Sequence, residues 1–274
     1  MNKSSDSKKS PNAVTVPHLR ELKARGEKIV VVTVYDASFA AQADATGIDV
    51  LLVGDSLGMV VQGRSSTLPV SVDEIVYHSA CVARGSGRAL LIADMPFMSF
   101  RDPAMALATA ARLMAEGGAS MVKLEGAGWV CDVIRTIAAH DVPVCAHLGL
   151  TPQSVHKFGG YRVQARETQA ADRLKADARA VQDAGAELLV LECVPAALAG
   201  EISADLAIPV IGIGAGVACD GQVLVLYDLL GITPGKRPRF SKDFLAGCGS
   251  VADALGEYAR AVRAGEFPAA EHSY

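Results

Sequence analysis

The chain has 274 residues, half of them hydrophobic, and a formal net charge of -4. This length can bury a substantial core as one α/β barrel, or it can divide into two domains, although no linker divides it. The negative charge, with no basic stripe, argues against binding nucleic acid or an anionic membrane surface. No apolar run approaches the roughly 20 residues that cross a membrane.

The first residues are polar and rich in Lys and Ser, with no apolar segment for secretion. We therefore predict a disordered polar tail over residues 1–15 and a single barrel domain over residues 16–274. The six cysteines form no CxxC pair and show no zinc spacing. This pattern favours a reducing compartment, for which the cytoplasm is the default.

Along the chain, short runs of Val, Leu and Ile alternate with Ala-rich helical stretches. An N-terminal helix is predicted over 16–27, and a later helix begins at Ser71, an N-cap residue. Another helix begins at Pro103, which suits a first turn. The predicted strands are 28–35, 50–54, 89–96, 120–126, 142–150, 187–195, 208–216 and 221–231.

Eight strand-helix units in about 230 residues fit the size of a (β/α)8 TIM barrel, which is the predicted α/β fold. Strands that are apolar almost throughout are typical of a parallel sheet covered on both faces. An open, doubly wound sheet is the alternative.

Four acidic residues interrupt or follow these apolar strands: Asp55, Asp94, Glu125 and Glu192. A buried carboxylate is costly unless it is paired or coordinated. Because the four occupy matching places in successive units, we expect them to meet at one rim of the sheet. Three of them would suit a hard cation such as Mg²⁺, and the fourth would be free to move a proton.

Asp55 lies two residues after Val53, and Asp94 lies two residues after Ile92. The period of a strand therefore predicts that each Asp shares a face with the residue two before it. Each Asp could instead cap a helix, since Asp is favoured at N-caps. For either residue alone, the two interpretations remain open.

Lys123 and Glu125 alternate along one strand and so are predicted to point the same way. A structural salt bridge is one interpretation. We favour a metal-binding carboxylate beside an ammonium that contacts a substrate anion. On that interpretation, Lys123 has little structural role and its loss barely changes the melting temperature.

Glu192 lies between Leu191 and Cys193 in an apolar strand. Burial raises a carboxyl pKa, which suits a general base or acid, although Glu192 could instead pair with a basic residue from a neighbouring loop. His147 is interpreted as a hydrogen-bonding residue that lines the pocket.

Two glycine-rich segments are ambiguous. The GIGAG sequence after strand seven is not a dinucleotide fingerprint; it could hold phosphate or allow close backbone packing. The loop KFGGYRVQ, residues 157–164, combines a Gly-Gly hinge with aromatic and basic residues. It could be an ordinary surface loop or a lid over the rim.

Seven segments, in order, resemble the ketopantoate hydroxymethyltransferase (3-methyl-2-oxobutanoate hydroxymethyltransferase) family. The resemblance runs from about Val16 to the terminal EHSY. Its segments are VGDSLGMVVQGRSSTLPVSVDEIVYH, ADMPFMS, VKLEG, AHLGLTPQSV with FGGY, LLVLECVP, IPVIGIGAG and CDGQVLV.

The resemblance implies a barrel of the phosphoenolpyruvate/pyruvate type, Mg²⁺, and a cytoplasmic homo-oligomer, in some members a decamer. It implies hydroxymethyl transfer from 5,10-methylenetetrahydrofolate to 3-methyl-2-oxobutanoate in pantothenate and coenzyme A biosynthesis. The resemblance implies that the metal ligands are Asp55, Asp94 and Glu125. It implies that the substrate contacts are Asp55, Ser56, Asp94 and Lys123, and that the proton acceptor is Glu192. Three residues depart from the family pattern and are expected in the loops around the pocket: Ser65, Val217 and Ala218.

Two other functions remain open. One is another Mg²⁺-dependent barrel enzyme acting on 2-oxo acids, such as an isocitrate-lyase-like C–C lyase or a phosphoenolpyruvate mutase. Those lyases resemble one another in a loop bearing a catalytic Cys, which the segment 157–164 lacks. The other is a barrel that binds a metabolite without catalysis.

Overall fold

The computed structural model describes residues 13–235 and 237–274. Within them, eight parallel strands close into a barrel in chain order, with the last strand paired to the first. This closed barrel confirms the predicted (β/α)8 fold and excludes the alternative, an open sheet. The strands are β1 (Ile29–Thr33), β2 (Val50–Val53), β3 (Leu90–Asp94), β4 (Met121–Glu125), β5 (Val144–Gly149), β6 (Leu188–Glu192), β7 (Val210–Ile213) and β8 (Gly221–Val225).

Helices surround the barrel, and one precedes it. Short 3-10 turns occur at Pro152–Ser154 and Ala270–His272. The helices are α1 (Val16–Ala24), α2 (Ala37–Ala45), α3 (Leu57–Val60), α4 (Val72–Gly85), α5 (Pro103–Ala115), α6 (Val130–Ala138), α7 (Val155–Phe158), α8 (Thr168–Asp183), α9 (Ala196–Asp205), α10 (Leu226–Leu229) and α11 (Val251–Arg263).

The strands bury both faces. Along β1, Ile29 and Val31 belong to the core inside the barrel, whereas Val30 and Val32 belong to the core between strands and helices. The helix α1 contributes Leu19 to the inner core and so covers the end of the barrel opposite the carboxyl ends of the strands. Two buried faces explain why the strands are apolar at nearly every position.

Side-chain caps begin the predicted helices where the sequence indicated. The Ser71 hydroxyl accepts a hydrogen bond from the Glu74 N–H at 3.2 Å, and the Glu74 carboxylate accepts one from the Ser71 N–H at 2.7 Å. Asp102 caps α5 by accepting from the Met105 N–H at 2.9 Å, just before Pro103. Each such cap is worth about 0.5–2 kcal/mol of helix stability.

The prediction for strand eight is too long. The chain leaves the strand after Val225 and forms the short helix α10, in which Leu226 and Leu229 are buried. A continuous apolar run does not distinguish a buried strand from a buried helix, so this boundary could not be read from the pattern. The helix α11 lies beyond the last predicted element. It packs on β1, where the buried Tyr258 hydroxyl donates to the Val31 carbonyl at 2.9 Å.

The seventh unit of the barrel has no helix, and none was predicted in the four residues between strands seven and eight. Residues 214–220 join β7 to β8 without a helix. Gly214 and Gly216 have φ angles of 61° and 84°, a conformation that glycine adopts without strain. A Cβ at Gly216 would lie 2.5 Å from the Ala196 Cβ. These contacts support close backbone packing as the reason for the glycines in GIGAG.

Residues 1–12 of the predicted tail lie outside the described residues, so the tail stays a prediction there. Of the remainder, Val14 is buried and its N–H donates to the Arg88 carbonyl at 2.8 Å, while Thr15 caps α1. In the part of the chain that the structure describes, no helix has the length and apolar character needed to cross a membrane.

Candidate active site

A cavity of about 950 Å³ opens at the carboxyl ends of the barrel strands. Active sites of barrels of this kind lie at that end because the strand ends and the loops that follow them converge there. The structure brings all the predicted site residues to the lining of this cavity: Asp55, Ser56, Asp94, Lys123, Glu125 and Glu192.

Asp94 is the centre of the buried polar contacts. Its Oδ1 lies 2.6 Å from the Lys123 Nζ, and its Oδ2 accepts a hydrogen bond from the Asp55 N–H at 2.9 Å. Asp94 and Lys123 are partners in the register of β3 and β4. The helix α5 is capped by Asp102 instead, so Asp94 is not a helix cap.

Asp55 is not a cap either, but its predicted orientation is wrong. Val53 belongs to the outer core between strands and helices, whereas the Asp55 side chain lines the cavity. The strand ends at Val53, so the alternation of faces ends there too. For Asp94 the prediction holds, because Ile92 belongs to the inner core. Lys123 and Glu125 also both line the cavity, as the strand period predicts.

Gln153 joins two of the acidic residues and was missed by the sequence analysis. Its side-chain amide donates to the Asp55 Oδ2 at 2.9 Å and to the Met95 carbonyl at 3.0 Å. Its backbone N–H donates to the Glu125 Oε2 at 3.0 Å. The only signal was its position in the segment AHLGLTPQSV, because its partner Asp55 is far away in sequence.

Ser56 is held by a second residue that was missed. The Tyr35 hydroxyl lies 2.8 Å from the Ser56 Oγ, and Tyr35 is buried. The preceding residue, Gly54, has no room for a side chain, since a Cβ there would lie 2.9 Å from the Ser56 Oγ and 3.3 Å from the Asp94 Oδ2. The backbone of this turn can therefore approach Asp94 closely.

His147 lies between two carboxylates. Its Nε2 is 3.2 Å from the Glu192 Oε2, and its Nδ1 is 3.5 Å from the Glu125 Oε1. These are ion-pair distances, but neither nitrogen has the geometry of a hydrogen bond to a partner among the described residues. Burial, followed by repulsion from Lys123, lowers the pKa of His147, so its ring is neutral near pH 7.

Glu192 differs from the other three acidic residues in its surroundings. Its side chain is 13% exposed, compared with 4% for that of Glu125. It ends β6, and the next residue, Cys193, has a φ of 49°, a left-handed conformation that turns the chain at the cavity wall. Among the described residues, no Lys or Arg lies within ion-pair distance of Glu192. The alternative interpretation, a Glu paired with a loop cation, is therefore not supported.

Burial and neighbouring charges shift the pKa values of Glu125, Asp55 and Lys123. Burial raises the pKa of Glu125 to about 8, with Lys123 opposing the rise and Asp94 adding to it. Burial, then repulsion from Asp94 and Glu125, raises the pKa of Asp55 well above its usual range. Burial alone would lower the pKa of Lys123, but the three carboxyl groups outweigh it and raise that pKa.

The donor chemistry of this group fits a hard divalent cation. Carboxylate oxygens are preferred by Mg²⁺, and a second positive centre would relieve the repulsion that raises these pKa values. The oxygens are not gathered into a finished coordination shell: across residues 13–235 and 237–274, no three His, Cys, Asp or Glu side chains have that arrangement. Asp55 and Glu125 each accept a hydrogen bond from Gln153 instead.

The raised pKa of Glu125 predicts how stability depends on pH without metal. The carboxyl group has a pKa near 4.3 when unfolded and about 8 when folded, so between these values the folded state binds more protons. The contribution of Glu125 to the free energy of unfolding should therefore be highest below about pH 4.3. It should fall by at most about 5 kcal/mol as the pH rises through 8.

Urea unfolding in EDTA between pH 5 and pH 8.5 measures this fall. Glu125→Gln is the control, because an amide does not titrate and should make the slope shallower, while the raised pKa of Asp55 keeps part of it. Equal slopes in the variant and the parent would contradict the prediction.

The contact between Lys123 and Asp94 corrects the expectation that Lys123 has little structural role. Lys123 pairs with Asp94 on the neighbouring strand, not with Glu125 two residues along its own strand. Removing one partner of a buried pair costs about 3–5 kcal/mol because the other charge stays buried. We expect Lys123→Met to lower the melting temperature of the metal-free protein clearly. It should also raise the KM for a 2-oxo acid about tenfold to a hundredfold.

Lys23→Met is a matched control for this prediction. Lys23 pairs with Asp220 at 2.7 Å, away from the cavity. Its loss should lower stability and leave the KM for the 2-oxo acid unchanged. If Lys123→Met also leaves that KM unchanged, Lys123 has only a structural role.

The loop 157–164 lies against the cavity. The Tyr161 hydroxyl donates to the Met59 Sδ at 3.3 Å, and both residues line the cavity. The Gln164 N–H donates to the Cys193 carbonyl at 2.9 Å, so the far end of the loop is attached to the turn after Glu192. Movement of this loop as a lid stays a prediction.

The three departures from the family pattern do not touch the cavity. Ser65, Val217 and Ala218 are exposed and do not line it. The Val217 carbonyl accepts a hydrogen bond from Lys28, just before β1, at the opposite end of the barrel.

The fold and this site define a barrel enzyme that gathers carboxylates and a lysine at the carboxyl ends of its strands. The family model described as ketopantoate hydroxymethyltransferase matches residues 13–270, and the chain belongs to this family. A 3-methyl-2-oxobutanoate hydroxymethyltransferase of Alkalilimnicola ehrlichii is 59% identical over 261 residues, covering 95% of this chain and 94% of that protein. One of Paraburkholderia phymatum is 57% identical, covering 97% of each chain.

Solved structures support the fold independently. A putative phosphonomutase from Burkholderia cenocepacia superposes with a TM-score of 0.63 at 18% identity, covering 79% of this chain and 93% of that one. A phosphoenolpyruvate phosphomutase from Streptomyces platensis gives 0.61 at 14% identity, covering 79% and 82%. At such identities the likeness shows the barrel fold and not the reaction.

Proposed function

We propose that the chain transfers a hydroxymethyl group from 5,10-methylenetetrahydrofolate to 3-methyl-2-oxobutanoate, giving 2-dehydropantoate for pantothenate and coenzyme A biosynthesis. The observation that carries this is the buried group of Asp55, Asp94, Glu125 and Lys123 beside Glu192 in one cavity. Membership of the family, with relatives of that name at 55–59% identity, supports the same reaction.

The 2-oxo acid would bind over the buried group. Lys123 offers an ammonium to its carboxylate or keto oxygen, and Ser56, held by Tyr35, offers a hydroxyl. We propose Asp55, Asp94 and Glu125 as the Mg²⁺ ligands. When bound, Mg²⁺ supplies Lewis-acid stabilisation of the negative charge that develops on the substrate oxygens, an effect of several kcal/mol.

Glu192 is the proposed base. The C3–H of 3-methyl-2-oxobutanoate is weakly acidic because the adjacent keto group stabilises the carbanion as an enolate. The Glu192 carboxylate would take this proton, and a positioned base typically contributes about 10²- to 10⁴-fold. The neutral His147 ring lies beside this carboxylate, with its Nε2 3.2 Å from the Glu192 Oε2.

The C3 carbon then forms a bond to the one-carbon unit of the folate. One water molecule supplies the hydroxyl group of the product, and tetrahydrofolate leaves, so the atoms balance. Two substrates must fit together in the cavity, whose volume of about 950 Å³ is large for a small 2-oxo acid alone.

The proposed function is tested by the release of tetrahydrofolate. We expect release that depends on both 3-methyl-2-oxobutanoate and Mg²⁺, with 2-dehydropantoate as the product identified by mass spectrometry. Cleavage of a C–C bond in a 2-oxo or 2-hydroxy acid without folate would favour the lyase alternative. Binding without turnover would favour a metabolite-binding barrel.

We also propose that the chain works as a cytoplasmic homo-oligomer, of the decameric kind that the family resemblance implies. Several large apolar side chains are exposed together around a second cavity, which supports association. The Phe100 and Trp129 rings stack at 6.2 Å, and Phe97, Met98 and Trp129 are about half exposed. Sedimentation velocity measures the oligomer, and a monomer would contradict this proposal.

A further inference from the structure

The charges that line the cavity are separated by depth. The acidic lining residues are buried or nearly so, and we call the four at the proposed active site the acidic floor: Asp55, Asp94, Glu125 and Glu192. Four arginines at the mouth are exposed, and we call them the arginine rim: Arg162, Arg166, Arg237 and Arg239. Because the whole chain carries a net charge of -4, this positive mouth is a local feature.

The arginine rim is only partly neutralised by the protein itself. Arg237 lies 3.3 Å from the Asp243 carboxylate. Arg239 donates to the Glu271 backbone carbonyl at 3.0 Å and lies 5.3 Å from the centre of the Tyr274 ring. The rim thus has one carboxylate partner among the described residues. Arg162 and Arg166 have no side-chain partner there.

The rim comes from two segments that converge on the cavity. Arg162 and Arg166 follow the Gly-Gly turn after α7, whereas the other two follow α10. Convergence of guanidinium groups on a cavity suits a ligand with more than one carboxylate, because each guanidinium can bind a carboxylate through two parallel hydrogen bonds.

The space between rim and floor is largely apolar. Its lining includes Met59, Val60, Val163, Pro238 and Phe240. A flat aromatic ligand would pack there, with its reacting end at the acidic floor and any anionic end at the mouth. The one-carbon donor has this order of parts: a pterin that carries the reacting carbon, a benzoyl group, and a glutamyl tail with at least two carboxylates.

We propose that the arginine rim binds the carboxylates of the glutamyl tail of the one-carbon donor and so sets a preference for longer tails. The inference rests on the proposed function, because it assigns a folate to the outer cavity. Each added glutamate brings one more carboxylate to the mouth. The KM for the folate should therefore fall as the tail lengthens.

The test compares methylenetetrahydrofolates bearing one and three glutamates in the parent and in Arg162→Gln with Arg166→Gln. In the parent, we expect a lower KM for the longer tail and a loss of this advantage at high salt, since exposed charges are screened. In the double variant, the KM for the triglutamate should rise about 3- to 30-fold, and the difference between the two tails should shrink. Arg84→Gln with Arg135→Gln, which removes two exposed charges from the outer helices α4 and α6, is the control for net charge.

Two further measurements separate the possible failures. Exchange of the C3 hydrogen of 3-methyl-2-oxobutanoate in D₂O needs no folate and reports whether the acidic floor is intact. If the parent shows neither exchange nor turnover, the proposed function fails. If the parent turns over but its KM for the folate does not change with tail length, the arginine rim does not bind the tail. The same conclusion follows if the double variant keeps the parental KM for the triglutamate. An equal rise in KM with a pteroate that lacks glutamate also overturns it, because the arginines would then contact the ring system.

Discussion

Replacing Glu192 with glutamine is expected to slow removal of the C3 proton by about 10²- to 10⁴-fold, because an amide cannot accept that proton. Glutamine has nearly the same shape, and Glu192 makes no ion pair with Lys or Arg among the described residues, so the fold and the binding of the 2-oxo acid should survive. The measurement is hydrogen exchange at C3 of 3-methyl-2-oxobutanoate in D₂O with Mg²⁺, followed by NMR without folate. Calorimetry with the 2-oxo acid checks that binding is retained.

The matched control for this prediction is the residue immediately before the same strand. Glu187 precedes β6 at the other end of the barrel, where it pairs with Arg20 at 3.0 Å. Glu187→Gln should exchange the C3 hydrogen at the parental rate. If Glu192→Gln does so too, Glu192 is not the base, and His147 or a water molecule becomes the candidate.

Replacing Asp55 with asparagine is expected to weaken Mg²⁺ binding strongly and to lower turnover by about 10³-fold. That factor corresponds to about 4 kcal/mol of lost Lewis-acid stabilisation. The amide can still accept the hydrogen bond from Gln153. It also removes a carboxyl group whose pKa burial and neighbouring carboxyl groups raise, so the metal-free protein should be no less stable than the parent.

Thermal unfolding with and without Mg²⁺ separates the two effects. A ligand at 100 times its dissociation constant stabilises the folded state by about 2.7 kcal/mol, and the variant should lose this gain. Asp228→Asn is the control. Asp228 is also buried at the cavity, but its carboxylate accepts a hydrogen bond from the Thr233 hydroxyl at 2.6 Å, and we assign it no metal contact.

Asp94→Asn should also weaken Mg²⁺ binding and turnover. A change in the stability of this variant would not report on the metal site alone. Asp94 holds Lys123 and the Asp55 N–H, so the substitution disturbs two contacts besides the metal site. If Asp55→Asn binds Mg²⁺ as the parent does, the proposed ligand set is wrong whatever Asp94→Asn shows.

The sequence by itself determined the strands, the barrel and the places of the four acidic residues. Apolar runs that are buried on both faces leave little freedom in where strands lie. Burying an unpaired carboxyl group at the end of such a run costs free energy. Four carboxyl groups in matching places therefore predict one shared site. The period of two along a strand was sufficient to place Lys123 and Glu125 together, since both lie within one regular strand.

The same rule was wrong for Asp55, because β2 ends at Val53 and a rule about strands does not extend past the strand. A local rule also has a limit at the connection between β7 and β8, where residues 214–220 form no helix. There Gly216 packs closely against Ala196, a contact that no local pattern predicts.

Only the tertiary structure decided how the polar groups pair. Lys123 bonds to Asp94 across two strands, and Gln153 joins Asp55 to Glu125 although it is far from both in sequence. The pKa of Glu125 and the neutral state of His147 depend on these neighbours and on burial, which local sequence does not encode. Local patterns determine which residues reach the rim of the barrel, because strand geometry repeats. Which of them bond there depends on closure of the barrel, which brings distant strand ends within a few ångströms of one another.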